Sequence, residues 1–354
     1  MHTTPTKSHP HPSLAELPAP PKGKTGWPWT EQSEPLPETL PGGKPWPRIS
    51  VVTPSYNQAR FLEETIRSVL LQGYPNLEYF VMDGGSKDGS QDIIRKYEPW
   101  LTGWVSERDR GQSHAINKGW SRSTGEIRAW LNSDDVYQPD ALRAAVLALE
   151  RYPDAAAVFS DCNYVDAEGR LLVRRVPGEV DLLRLLRSLV SWVPQPTSFI
   201  RASVLEEVGL LDEEAHFSMD YDLWLRVSLK HRLQYVNGVW AATRMHEDAK
   251  TVALHRQVWE NKGTVLYRIL ASPELPAAIR AEADALFSSY YLKLGCVYLQ
   301  DGSTREALGY FARAVLRHPP ALLQWRTWRE PIRSAGKLVR RGPRQQYWPA
   351  SPDA

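Results

Sequence analysis

From residue 49 onward the chain alternates short β-branched runs with stretches of helical period, and nothing else in it limits the fold so strongly. ISVVTP at 49–54 is followed by Phe61, Leu62, Ile66, Val69 and Leu70, spaced for one helix face, and then by LEYFVMD at 77–83. Further strand-like runs lie at 104–107, 127–131 and 156–161, with helical stretches near 91–98, 111–122 and 138–151. Strand and helix in strict turn predict an α/β fold, a Rossmann-like, mostly parallel sheet flanked by helices. Residues 177–256 read as mixed, with helices at 180–190, 203–208 and around MDYDLWLRVSLKH, then a strand through LQYVNGVWAATRMH.

In an open parallel sheet ligands bind beyond the carboxyl ends of the strands, where the loops diverge and helix N-termini face outward. Reading each run to its end gives Thr53 to Asn57, Asp83 to Ser86, Glu107 with Asp109, Asn132 to Asp135, and Asp161. Singly, each has a structural alternative, a cap for Asn57 and a tight turn for the loop after Asp83. Together they bring several carboxylates to one rim, which is costly unless a cation or a donor-rich ligand sits between them. Asp134 and Asp135, adjacent after the apolar run IRAWL, are the sharpest element. Such a pair can hold a divalent ion, Mn2+ or Mg2+, whose remaining ligands are phosphate oxygens and water.

Composition sets the flanks of this region. Residues 1–48 carry 12 of the 28 prolines and few aliphatic residues, so they form an arm without a core of its own. Trp27, Trp29 and Trp46 among those prolines suggest a strap laid on a folded surface. The 43 Lys and Arg nearly cancel the 41 Asp and Glu, which gives no global reason to expect nucleic acid. Cys162 and Cys296 form no CxxC pair, which fits a reducing compartment. LLRLLRSLVSWV is interrupted by Arg184 and Arg187 and is too short to span a bilayer, and the N-terminus lacks a leader pattern. The expected location is cytoplasmic, with peripheral contact at the inner face of the membrane. After residue 256 the chain reads as helix. Leu294, Gly295, Tyr298, Gly302, Ala307, Phe311, Ala314 and Pro319 sit where a tetratricopeptide-like hairpin wants them. Between Arg313 and Arg344 there are nine Lys or Arg, one acid, and Trp325 and Trp328, a composition that suits an anionic bilayer surface or a solvated helix face. The expected domains are thus 1–48, 49–256, a helical extension over 257–344, and a tail of 345–354.

Five ordered motifs make residues 49 to about 250 resemble the family 2 glycosyltransferases, the inverting group with the GT-A fold. They are TPSYNQARFLEETIRSVLLQGYPNLEYFVMDGGSKDGS, SERDRGQSHAINKGW, GEIRAWLNSDD, QPTSFIRASVLEEVGLLDE and FSMDYDLWLR. The resemblance implies transfer of a sugar from a nucleotide diphosphate, UDP favoured, to a hydroxyl of a saccharide or lipid-linked saccharide, as in cell-surface polysaccharide synthesis. It implies a first nucleotide loop of Pro54, Ser55, Tyr56 and Asn57, and Asp83 on the base edge with Gly84 and Ser86 in its loop. It further implies that Asp109, Gln112, Asn117 and Lys118 line the nucleotide and sugar, a solvated face being the alternative for Lys118. Asp135 falls on the metal position and Asp134 near the ribose or sugar, while Arg244 and His246 match a late Arg-x-His over the diphosphate, with His246 a metal ligand.

An inverting displacement needs a base for the acceptor hydroxyl, and Asp220 takes that role by resemblance. Met219 stands where the family usually has Glu, and His114 where it commonly has Asp. Asp222 is expected to pair with Arg226 at i, i+4. Gln195 begins a segment that the resemblance turns toward the acceptor. Trp192 and Trp224 are candidates to stack on sugar rings, core packing being the commoner fate of tryptophan. One rival, a sugar nucleotidyltransferase, should show a Gly-rich triphosphate loop that ISVVTPSYNQ lacks. The other, an inactive fold used for docking, is disfavoured by the presence of Asp220 and the Asp134–Asp135 pair.

Overall fold

A computed structural model describes residues 12–215, 217–246 and 255–320. The described chain forms two compact units. One comprises the residues up to Asp181 together with Ser191–Met245; the other comprises Leu182–Val190 together with the residues from His246 on.

The first unit opens with four strands, β1 (Ile49–Ser55), β2 (Leu77–Asp83), β3 (Gly103–Ser106) and β4 (Ile127–Trp130), separated by α1 (Ala59–Leu70), α2 (Ser90–Tyr97) and α3 (Gln112–Trp120). Each crossover contains a helix, so the strands return parallel, in the order β3-β2-β1-β4. Beyond β4 the sheet becomes mixed. It continues through β8 (Phe199–Arg201), β6 (Ala155–Val165), β9 (Arg232–Arg244) and β5 (Val136–Tyr137), with β7 (Leu171–Arg175) hairpinned onto β6. Only β6 and β9 pair in parallel there. The pairs β4–β8, β6–β8, β5–β9 and β6–β7 are antiparallel, which departs from the mostly parallel expectation in this half. Two of the strands that bring this about, β5 and β8, are two and three residues long and follow no crossover of β-α-β form.

Alternation along the strands sorts the two faces. Ile49, Val51, Tyr79, Val81, Ile127 and Ala129 join α1, α2 and α4 (Ala141–Arg151) in one core. Trp130 points to the other side, edge-on to Trp120 of α3 and stacked on Trp224 of α7 (Met219–Ser228). Gly119 is required there, since a Cβ would lie 2.6 Å from the Val52 methyls.

Residues 12–48 lie on the α1 and α4 face. Leu17, Leu40 and Trp46 enter the core, and Trp29 is also buried. The segment is fastened by Arg67, which is fully buried and donates to the carbonyls of Pro18 (2.8 Å), Pro28 (3.0 Å) and Trp29 (3.0 Å) and to the Tyr97 hydroxyl. Trp27 Nε1 donates to Tyr137 O at 2.7 Å.

The second unit contains α5 (Leu182–Ser188), α8 (His255–Ala271), α9 (Ala277–Arg280), α10 (Ala283–Gln300) and α11 (Thr304–Arg317). The sequence reading placed 182–190 with the sheet. Contacts group it with the later helices instead, because Lys262 and Lys293 donate to Leu189 O and Ser188 O and Arg187 pairs with Glu282. α10 and α11 form a hairpin around Gly302 (φ +83°), with Ala307 and Ala314 buried and Gly295 leaving room for the Phe311 ring. No helix among the described residues is long and apolar enough to cross a membrane. Of the basic tail, only the part up to residue 320 is described; Trp325 and Trp328 lie outside the described residues.

Candidate active site

Parallel register brings the polar strand ends together. Ser55 pairs with Asp83, and Asp83 with Ser106, so three neighbouring strands finish at one level. Asp83 is fully buried and its carboxylate organises its own loop. Oδ2 accepts the N–H of Gly85 (3.1 Å), the N–H of Ser86 (2.9 Å) and the Ser106 hydroxyl (2.5 Å), and Oδ1 accepts the Ser86 hydroxyl. Asp83 therefore shapes the loop that follows β2. Ser86 Oγ also accepts the N–H of Asn57, which is held at φ +52°, and Asn57 Oδ1 accepts the Lys87 N–H. Left-handed backbone suits Asn better than most residues, so this turn is built for its sequence. Pro54 and Ser55 end β1; Ser55 Oγ is buried with no hydrogen-bond partner among the described residues, and Tyr56 is 63% exposed. Gly84 lies under Asp109 and Tyr56: a Cβ there would be 2.7 Å from Asp109 Oδ2 and 3.2 Å from the Tyr56 ring.

The acidic pair follows β4. Asp135 is buried, and its carboxylate accepts the N–H of Arg244 (3.1 Å) and the amide of Asn132 (3.2 Å). Burial first, and the charge of Asp134 second, hold the Asp135 carboxyl well above the usual carboxylate range. Thr65 donates to Asp135 O at 2.7 Å, tying the loop to α1. The Arg244 guanidinium, expected over a diphosphate, is buried beside the pair. It donates to Asp134 O (3.2 Å) and Ala167 O (3.0 Å), pairs with Glu64 (3.2 Å) and lies over the Phe61 ring. With those donors engaged it holds the loop in place, and its charge still favours anionic groups nearby.

Asn132 links the pair to α3, because its Oδ1 accepts the Gln112 amide at 2.6 Å. The next residue, Ser113, donates to Met219 Sδ at 3.1 Å. Met219 is thus packed inward, which accounts for an apolar side chain where an acid was expected. Asp220 follows it, half-buried in the first turn of α7. Asp222 is fully buried and paired with Arg226 at 2.9 Å, as the i, i+4 spacing predicts. One run of contacts, Asp135–Asn132–Gln112–Ser113–Met219, therefore carries from the acidic pair to the helix of Asp220. Asn132, Ser106, Thr65 and Glu64 had no assigned role in the sequence. Only Asn132 carried a signal, its place in NSDD.

Other candidates fall less simply. Asn117 grips the backbone of Leu211 in both directions, and its Nδ2 also donates to Glu213 Oε1 at 3.4 Å. Lys118 pairs with Glu107 at 2.9 Å and holds that carboxyl below its usual range. His114 Nδ1 accepts the Arg110 N–H at 3.2 Å. Gln195 donates to Trp130 O, while its Oε1 is buried with no partner among the described residues. Trp192 is half-buried under the Arg175 guanidinium, and Trp224 is wholly core. His246 belongs to the second unit.

Among the described residues no three His, Cys, Asp or Glu cluster to enclose a metal. Asp135 and Asp134 offer oxygen ligands only, too few to close a shell, which suits a hard divalent ion that completes its coordination with phosphate and water. A buried carboxylate crowded by a second one is also what a cation would relieve.

The family model described as glycosyl transferase family 2 matches residues 50–209. An uncharacterized glycosyltransferase of Rickettsia typhi is 30% identical over 215 residues, 58% of this chain and 66% of that protein. One of Mycobacterium tuberculosis is 30% identical over 186 residues, 52% of this chain and 70% of its own length. The chain spans 36% of a longer Rickettsia felis relative. Among solved structures, residues 1–349 of S. aureus TarS with UDP-GlcNAc superpose with a TM-score of 0.59 at 19% identity, covering 85% of this chain and 93% of that one. The mannosyltransferase PcManGT from Pyrobaculum calidifontis, with GDP-Man and Mn2+, gives 0.55 at 21%, covering 88% and 91%. These likenesses establish a shared fold.

Proposed function

We propose, since this chain belongs to glycosyl transferase family 2, that it moves a sugar from a nucleoside diphosphate onto an acceptor hydroxyl with inversion at the anomeric carbon. The observation that carries the reading is the run of contacts from buried Asp135 through Asn132 and Gln112 to the helix bearing Asp220. It links a cation-seeking acidic pair to the helix that carries a half-buried carboxylate. The loop of Tyr56, Asn57 and Gly84 with Asp109 receives the nucleoside, for which the exposed Tyr56 ring offers a stacking face. Asp134 and Asp135 would hold Mn2+ or Mg2+, which would neutralise charge on the departing diphosphate. Asp220 takes the proton of the acceptor hydroxyl as that oxygen attacks the anomeric carbon, and the bond from carbon to diphosphate breaks on the opposite face.

UDP is the first donor base to test and GDP the second, since the two neighbours carry UDP-GlcNAc and GDP-Man. The acceptor is a saccharide or lipid-linked saccharide. Peripheral attachment to an anionic membrane through the basic C-terminal segment would bring the enzyme to the lipid-linked form.

Calorimetric titration of UDP and of GDP, with and without Mn2+, tests the reading. Metal-dependent binding should be lost in Asp135→Ala and kept in Asp220→Asn, whose release of nucleoside diphosphate from the matching sugar donor should fall by about a hundredfold or more. Failure of both nucleotides to bind with metal present would count against transfer altogether.

A further inference from the structure

The segment that joins α6 (Ala202–Val208) to α7 is held by side chains from both α3 and α7. Arg226 Nη1 donates to Val208 O (2.5 Å) and Gly209 O (3.0 Å), and its Nη2 donates to Leu210 O (2.8 Å). Asn117 Nδ2 donates to Leu211 O (2.8 Å), and Asn117 Oδ1 accepts the Leu211 N–H (3.1 Å). Four successive carbonyls are therefore taken by two side chains on facing helices. Asp222 fixes Arg226 from a fully buried position, and Arg110 meets Glu213 two residues further along the segment at 2.6 Å. Backbone carbonyls in a connecting segment are usually left to water. Here the grip is continuous, and within ten residues the segment becomes the first turn of α7, where Asp220 sits.

We propose that Asn117 and Arg226 are positioning residues for the acceptor side of the reaction. Together they fix the entry to α7, and so the place of the Asp220 carboxylate relative to α3 and the acidic pair. Asn117 acts through the backbone of Leu211 and not as a sugar ligand, since both ends of its amide are engaged there. Arg226 acts through its planar fork, which reaches three carbonyls while Nε keeps Asp222; a lysine could satisfy the charge but not the fork. This inference rests on Asp220 being the base, and the test separates the two.

Asn117→Asp is isosteric, keeps an acceptor for the Leu211 N–H and loses the donor to Leu211 O. Arg226→Lys keeps the pair with Asp222 and loses the fork. Both are compared with the full wild-type chain and with Asp220→Asn. The three readouts are Mn2+-dependent UDP or GDP affinity, steady-state release of nucleoside diphosphate from UDP-GlcNAc or GDP-mannose, and amide exchange across 209–222. We expect nucleotide affinity within about twofold of wild type, and kcat lower by roughly ten- to a hundredfold, the scale of a small misplacement of a reacting group. Exchange should speed up through 209–222 in both variants and stay unchanged in Asp220→Asn. A purely structural role would lower the melting temperature and leave kcat per folded molecule unchanged, and a sugar-contact role for Asn117 would raise the donor KM while leaving exchange unchanged; either result overturns the proposal. If Asp220→Asn keeps its turnover, the base assignment has failed, and the exchange data still decide whether these two residues set the α7 entry.

Discussion

Asp135 is poorly placed to carry its charge: it is buried, and Asp134 is its neighbour. Its carboxyl in the folded chain holds a proton to higher pH than in the unfolded chain, so the folded state binds more protons between those two values. Stability therefore falls as pH rises through that window, and the penalty is fully present above the folded value. Asp135→Asn removes the charge and should raise the melting temperature of the metal-free protein at pH 8 while changing it little at pH 4. Each kcal/mol relieved should appear as about 2–4 °C. The same variant should lose metal-dependent nucleotide binding, and thermal melts with and without UDP and Mn2+ would show both effects; a lower melting temperature at pH 8 would mean that the hydrogen bonds from Asn132 and the Arg244 N–H outweigh the charge penalty. Gly84→Ala offers a second check at this scale. Its Cβ would collide with Asp109 and crowd Tyr56, and an overpacking cost of about 1–3 kcal/mol should weaken UDP binding by about tenfold or more with little change in fold. The positions of Asp83, Asp134 and Asp135 could be read from the sequence because strand ends mark themselves by composition. What Arg244 and Asn117 touch could not, since a single residue letter does not say which carbonyls arrive from distant segments to meet its N–H groups.

Among elements, the four parallel strands were legible because each is a short apolar or aromatic run and the first three are each followed by a helix. β5 and β8 were not, since two or three residues have no period, and their pairing is set by the strands on either side. Proline and tryptophan in residues 27–47 signalled a segment with aromatic surface to bury, but its fastening is one buried arginine in the middle of α1, which reads as an ordinary helical residue. Arg67→Ala would leave the carbonyls of Pro18, Pro28 and Trp29 without that donor, and at about 1 kcal/mol or more for each unsatisfied group the loss should reach about 3 kcal/mol. Urea unfolding should show the lower midpoint, and amide exchange should rise first in residues 17–30. The effect should spread to the acidic loop, because Trp27 holds Tyr137 O and α1 holds Asp135 O through Thr65. Equal exchange rates at 17–30 in variant and wild type would show that the arm is held by its tryptophans alone.

For the whole molecule, the chain belongs to family 2, and where it works turns on how its charge is distributed. The formal charge is +2, so no general attraction to an acidic surface follows from the total. The distribution differs: Arg326, Arg329, Arg333, Lys337, Arg340, Arg341 and Arg344 lie after the described residues, with Glu330 the single acid among them and Trp325 and Trp328 close by. At about 1 kcal/mol per basic residue near an anionic bilayer, six net charges would give attachment in the range of tens of micromolar at low salt. The full chain should therefore co-sediment with vesicles containing phosphatidylserine and not with phosphatidylcholine alone, and a chain ending at residue 320 should stay in the supernatant. Raising the salt from 50 to 500 mM should release most of the bound protein, because the Debye length shrinks from about 14 to about 4 Å. UDP affinity should be the same in both chains, since the nucleotide loop and acidic pair are built entirely from residues 54–135. Equal sedimentation of both chains would move the attachment to another surface, and no sedimentation of either would favour a soluble acceptor.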